Sequence, residues 1–214
     1  MTCAQSGMET ILTLASVVPV VVIDTLDDAV PLARALVQGG LPAIEITLRT
    51  PVAMDAVRAI VAEVAGAQVG VGTVLEPLQL QEAKRAGARF AVSPGHTTRL
   101  LDAAAAVDLP FLPGIATASE AITLIECGYR FAKFFPAEPA GGAAYLSALA
   151  SPLPQLRFCP TGGITLDNAS RYLALPNVVC VGGSWMLPRD RIRAKDWPAV
   201  VAASQAAAAL ADRG

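Results

Sequence analysis

Lys133 is one of three lysines in this 214-residue chain, and it stands inside the apolar run Phe131-Ala132-Lys133-Phe134-Phe135-Pro136. Taking an ammonium out of water disfavours its charged form, and a neutral amine is a nucleophile toward carbonyl carbon. A lysine in such a setting reads as a Schiff-base former. Two other readings stand beside it: a strand residue whose amine escapes to water, or a fixed cation that only binds an anionic ligand. The run Ile44-Glu45-Ile46-Thr47-Leu48-Arg49 carries a second signal. If its isoleucines and leucine face one side of a strand, Glu45, Thr47 and Arg49 face the other together. A desolvated carboxyl group suits proton transfer, and a guanidinium clamps a carboxylate through two parallel hydrogen bonds. Glu45 and Arg49 alone read equally well as a core ion pair or as part of a site. With Lys133 added, three ionisable groups of both signs make an expensive core and an ordinary active site.

Two glycine pairs complete the set. Pro160-Thr161-Gly162-Gly163-Ile164-Thr165 and Val181-Gly182-Gly183-Ser184 both end an apolar run with a hydroxyl close by. Glycine lets backbone amides approach an oxyanion, and two such loops at matching strand ends point to phosphate rather than to plain turns. In the run Gln68 to Val74, the residues Val69, Val71 and Thr73 share a face, with Thr73 as its polar tip. Ser93-Pro94-Gly95 reads as a pocket wall or a tight turn, and Pro113-Gly114 as a structural kink. His96, the single histidine, reads as solvent-facing or helix-capping, because Glu45 already supplies an acid–base group.

These residues need elements that converge. Apolar β-type runs alternate with helical patterns along the chain: Val17 to Asp24, Ala43 to Leu48, Gln68 to Val74, Phe90 to Pro94, Pro110 to Ala116, Phe131 to Pro136, Arg157 to Thr161 and Val178 to Gly183. Helix starts are signalled at Thr25-Leu26-Asp27-Asp28, Pro51, Glu76-Pro77 and the capping-box spacing Thr117-Ala118-Ser119-Glu120, and helix ends at Gly39-Gly40, Gly87 and Gly128. Strict alternation implies parallel strands with right-handed crossovers, and eight units close a TIM (β/α)8 barrel. A doubly wound open sheet is the alternative, disfavoured because no GxGxxG follows the first run. A barrel puts chemistry at the C-terminal strand ends and phosphate after strands seven and eight. The stretch Gln5 to Ala15 is expected to close the barrel floor as a short helix, and Val200 to Ala211 to pack as a last helix. No linker divides the chain, so residues 1–214 are expected to form a single domain.

Composition narrows the partners. A hydrophobic content of 54%, 16% charged residues and a formal charge of −2 suit a buried sheet and offer no basic footprint for nucleic acid or an anionic membrane. Cys3, Cys127, Cys159 and Cys180 show no CxxC spacing, so neither zinc nor a disulfide framework is indicated, and Cys159 and Cys180 are expected as buried free thiols. The run Ile11 to Ile23 is too short and proline-interrupted to span a bilayer, and a reduced, cytoplasmic protein is expected.

Taken in order, Glu45-Ile46-Thr47-Leu48-Arg49, Gly72-Thr73-Val74, Ser93-Pro94-Gly95, Lys133-Phe134-Phe135-Pro136-Ala137-Glu138, Pro160-Thr161-Gly162-Gly163-Ile164 and Gly182-Gly183-Ser184 resemble the 2-keto-3-deoxy-6-phosphogluconate (KDPG) aldolases over residues 17–187. The resemblance implies a homotrimeric class I aldolase on a TIM barrel, without metal or cofactor. It would release pyruvate from KDPG, and from 4-hydroxy-2-oxoglutarate in many members. It makes Lys133 the Schiff-base lysine and Glu45 the acid–base residue. By the same resemblance Arg49, Thr73 and Pro94 hold the pyruvyl carboxylate region, Phe135 packs beside the imine, and Gly162, Gly163 and Ser184 hold phosphate. His96-Thr97-Thr98-Arg99 departs from the more apolar or acidic helix start expected there. The C4 epimer of the substrate uses the same lysine chemistry. A phosphosugar isomerase or epimerase in which Lys133 only binds an anion is the alternative enzyme, and a non-catalytic ligand-binding barrel is disfavoured by the inward Glu45.

Overall fold

The computed structural model describes residues 3–210. Helix α1 (Cys3–Leu12) precedes β1 (Val17–Val21), a 3-10 turn at Leu26–Asp28 and α2 (Ala29–Gln38). There follow β2 (Ala43–Thr47), α3 (Ala53–Glu63), β3 (Gln68–Gly72), α4 (Pro77–Arg85), β4 (Phe90–Val92), α5 (Thr98–Val107), β5 (Phe111–Leu112) and β6 (Gly114–Ile115). The chain continues through α6 (Ala118–Glu126), β7 (Phe131–Phe134), α7 (Gly142–Ala150), β8 (Arg157–Pro160), α8 (Ala169–Leu173), β9 (Val181–Gly183), α9 (Arg189–Arg193) and α10 (Trp197–Ala208). Every expected run holds a strand, each shorter than its apolar pattern. The Cys3 side chain and Ala211 lie outside the described residues.

All strand pairs are parallel. One sheet runs β5-β4-β3-β2-β1-β9 and the other β6-β7-β8. β5 and β6 are halves of one strand position split at Pro113, where the expected kink falls, and the bridges Phe158↔Val178 and Thr161↔Gly182 join β8 to the β9 segment. The sheet is thereby closed at eight strand positions as a TIM-type barrel, without the open edges of the doubly wound alternative.

Strand alternation sorts the side chains into two cores. Ile44, Ile46, Val69, Val71, Ala132 and Phe134 face the helices in the outer core. A second cluster fills the lower interior with Val18, Ala43, Phe90, Val92, Leu112, Phe131, Cys159 and Cys180, and Met8, Ile11 and Leu12 of α1 pack on it as the floor. Contact with Cys159 and complete burial push the Cys180 thiol well above its usual range, so these free thiols serve as packing. Local signals behave as read. Thr117 and Glu120 form a reciprocal capping box on α6, Glu76 and Gln79 do so on α4, and Gly40, Gly87 and Gly128 end helices with φ of 86°, 84° and 82°. The small-residue face of α10 packs on α2, where a Cβ on Gly39 would lie 2.3 Å from the Ser204 Cβ.

Candidate active site

Barrel closure brings Glu45 of β2 and Lys133 of β7 together from 88 residues apart. Lys133 Nζ donates to Glu45 Oε1 at 3.0 Å and to Oε2 at 3.3 Å, and the two residues are 5% and 3% exposed. Neither ion meets water freely, so each depends on the other for compensation. The Phe135 ring centroid lies 5.5 Å from Nζ, completing an apolar side to the amine. Room for the Glu45 carboxylate comes from Gly72 on β3, where a Cβ would fall 2.1 Å from Oε1. Gly70, one step below, yields the same kind of space to the Phe90 ring.

These interior glycines correct the reading of β3. Val69 and Val71 share the outer face as expected, but Thr73 does not continue it. Thr73 leaves the strand in a left-handed conformation, φ 60°, and its hydroxyl accepts from Arg49 Nε at 3.2 Å. Arg49 is thus tied through one nitrogen, leaving its two terminal nitrogens for a ligand. Thr47 is buried and donates to Val21 O at 2.9 Å, a structural bond between β2 and β1.

A cavity of about 150 Å³ lies at the C-terminal strand ends, lined by Arg49, Lys133, Phe135, the Thr161–Ile164 loop and the Gly182–Ser184 loop, with Val20 of β1. A larger cavity of about 530 Å³ shares Val20, Arg49 and Ser184 with it and extends toward Arg189 and Arg193 of α9. Lys133, Arg49, Phe135, Gly162, Gly163 and Ser184 therefore converge as the sequence suggested. Glu45 joins through Lys133, and Thr73 through Arg49. Pro94 stands outside the lining: its carbonyl carbon and oxygen would both lie 2.3 Å from a Cβ on Gly114, which explains glycine after the Pro113 break. Thr161 and Ile164 line the cavity beside the glycine pair of their motif, and Val20 of β1 lines it without any distinctive chemistry to mark it in the sequence.

His96 is neither solvent-facing nor a cap. It is half-buried and its Nδ1 lies 2.8 Å from Gly114 O, so that nitrogen carries the proton and ties the loop after β4 to β6. The cap of α5 is Thr97, whose side chain accepts from Leu100 N. Among the described residues no group of three or more His, Cys, Asp or Glu could hold a metal, and no helix is long and apolar enough to cross a membrane.

An amine paired with a proton acceptor, sharing one cavity with a guanidinium and two glycine loops, can form an imine with a keto acid and hold both its anionic ends. Comparison with known proteins identifies the family. The family described as "Aldolase: KDPG and KHG aldolase" matches residues 8–203. The KHG/KDPG aldolase of Escherichia coli (strain K12) is 52% identical over 193 residues, covering 90% of this chain and 91% of that protein. The crystal structure of KDPG aldolase from Legionella pneumophila, with pyruvate captured at low pH as a covalent carbinolamine intermediate, superposes with a TM-score of 0.91 at 44% identity, covering 94% of this chain and 97% of that one. The 2-keto-3-deoxy-6-phosphogluconate aldolase of Zymomonas mobilis ZM4, with 3-phosphoglycerate, gives a TM-score of 0.92 at 44% identity, covering 96% and 97%. The chain, a class I Schiff-base aldolase, belongs to the KDPG and KHG aldolase family.

Proposed function

We propose that this enzyme cleaves 2-keto-3-deoxy-6-phosphogluconate to pyruvate and glyceraldehyde 3-phosphate, and 4-hydroxy-2-oxoglutarate to pyruvate and glyoxylate with lower efficiency. The observation that carries this reading is the buried Lys133–Glu45 pair at 3.0 Å, whose lysine lines one cavity together with the two glycine loops. Transfer of a proton from Nζ to Glu45 makes Lys133 a neutral amine, which attacks the C2 ketone to give a carbinolamine. Glu45 returns the proton to the departing hydroxyl as water leaves, and the cationic imine becomes an electron sink. Glu45, again a carboxylate, takes the C4 hydroxyl proton directly or through a water. The C3–C4 bond then breaks, the aldehyde departs, and an enamine remains; protonation at C3 and hydrolysis release pyruvate.

In the same proposal Arg49 clamps the keto-acid carboxylate, with Thr73 fixing its Nε and Pro94 bounding that side from the loop after β4. Phe135 packs beside the imine, and Gly162, Gly163 and Ser184 take the phosphate. The support for a phosphate site is that, among the described residues, the amides of Gly163, Ile164 and Ser184 have no backbone partner. Such amides in a cleft are anion donors. Neither a cofactor nor a metal has a step in this scheme. We further propose that residues 1–214 act as one domain, in the cytoplasm, as a homotrimer. Leu75 and Leu78, 63% and 55% exposed beside the β3 end, supply apolar surface for self-association, and the mass in solution tests it.

Comparing kcat/KM for the gluconate-derived acid, its C4 epimer and 4-hydroxy-2-oxoglutarate tests the substrate assignment. The phosphorylated gluconate-derived acid should exceed the non-phosphorylated one by about 100-fold, the worth of a few charge-assisted hydrogen bonds. Equal values for the two would contradict a phosphate site, and preference for the C4 epimer would reassign the sugar.

A further inference from the structure

The run that carries Lys133 ends in Glu138, which touches neither the lysine nor the cavity. Its surroundings assign it another task. Beyond β7 the chain lies along the loop after β8: Ala137 N donates to Thr161 O at 2.8 Å, and Glu138 N donates to Gly162 O at 3.0 Å. The Glu138 side chain covers Gly163, where a Cβ would stand 2.8 Å from both its Cβ and Cγ. Its carboxylate accepts the hydroxyl of Tyr172 on α8 and lies 4.0 Å from Arg171 Nη2. Tyr172 is fully buried, and burial together with the Glu138 hydrogen bond pushes its phenol up, so it remains the proton donor. From the other side Asn168 Nδ2 donates to Gly163 O at 2.9 Å, while Asn168 Oδ1 accepts from Thr165 N at 2.8 Å.

Both carbonyls of the glycine pair are thereby held. In a trans peptide the C=O and the following N–H point in opposite directions. Fixing Gly162 O on Glu138 N aims the Gly163 N–H away from Glu138. Fixing Gly163 O on Asn168 likewise aims the Ile164 N–H. Gly162 and Gly163 have φ of 101° and 80°, a left-handed pair with no side chains of their own to hold that geometry. A carboxylate close behind an anion site would repel the ligand if left bare; the Tyr172 hydroxyl and the Arg171 guanidinium offset that charge.

We propose that Glu138 and Tyr172 are positioning residues for phosphate recognition: the Tyr172 hydroxyl anchors Glu138, and Glu138 braces the Gly162–Gly163 loop in the orientation that presents its amides. This inference rests on the reading of that loop as the phosphate site. It joins the two ends of the substrate in one segment, since the lysine for the ketone and the brace for the phosphate loop share a single β7 run.

The test measures kcat and KM of Glu138→Ala, Glu138→Gln and Tyr172→Phe with the phosphorylated acid and with 4-hydroxy-2-oxoglutarate. Tyr172→Phe keeps the buried ring, and glutamine keeps an oxygen for Tyr172 to donate to. Glu138→Ala and Tyr172→Phe should raise KM for the phosphorylated acid about tenfold with kcat little changed, while KM for 4-hydroxy-2-oxoglutarate stays put. Glu138→Gln should recover most of that loss. Equal losses on both substrates, or an unchanged KM for the phosphorylated acid in Glu138→Ala, would overturn the brace while leaving the phosphate reading intact. A wild-type enzyme indifferent to the phosphate would overturn both.

Discussion

Lys133→Arg is expected to lower kcat for aldol cleavage about 10⁴-fold or more, equivalent to roughly 5 kcal/mol of barrier. Arginine keeps a cation beside Glu45, so the buried carboxylate retains a partner and folding is little affected. What disappears is the one amine, among the described residues lining the cavity, able to become a neutral nucleophile. A fixed cation that merely bound an anion would be served nearly as well by a guanidinium, and the isomerase or epimerase alternative therefore predicts substantial residual activity. Steady-state cleavage, read as pyruvate release, separates the two. Lys133→Met is a poorer test: it strands Glu45, 3% exposed, without its counter-charge, and breaking a buried pair costs about 3–5 kcal/mol of stability.

Glu45→Gln should lower kcat by about 10²–10⁴-fold, the usual range for a positioned acid–base group. The amide oxygen can still accept from Lys133 Nζ, so the geometry at 3.0 Å has a neutral substitute. An amide cannot take the ammonium proton, return it to the carbinolamine hydroxyl or accept the C4 hydroxyl proton. Because it serves every chemical step, its loss should fall on kcat for phosphorylated and non-phosphorylated substrates alike, in contrast to the KM effect expected at Glu138. The variant should still trap pyruvate on Lys133, only slowly. An activity within threefold of wild type would remove Glu45 from the mechanism, because a proton-transfer group is worth far more than that.

Much of this site was legible because strand alternation is strict. The apolar partners in Ile44-Glu45-Ile46 and Ala132-Lys133-Phe134 face the helices, which leaves Glu45 and Lys133 no direction but inward. The glycine pairs after β8 and β9 were readable for the same reason that they function: bare backbone at a strand end invites an anion. What escaped depended on backbone and distance. Thr73 reaches Arg49 only through a left-handed turn at φ 60°, which a threonine does not advertise. Val20 lines the cavity through position alone. His96 owes its place to Gly114 O, 18 residues on and beyond the next helix, a partner no local pattern around the histidine signals. The Glu138–Tyr172 contact spans 34 residues and requires α8 to be placed before it exists.

Borohydride reduction in the presence of pyruvate, followed by peptide mass analysis, tests the imine directly. One pyruvyl adduct is expected, on Lys133, with Lys84 and Lys195 unmodified and with no adduct in Lys133→Arg. An adduct on another lysine, or none while the enzyme turns over, would contradict an imine at Lys133.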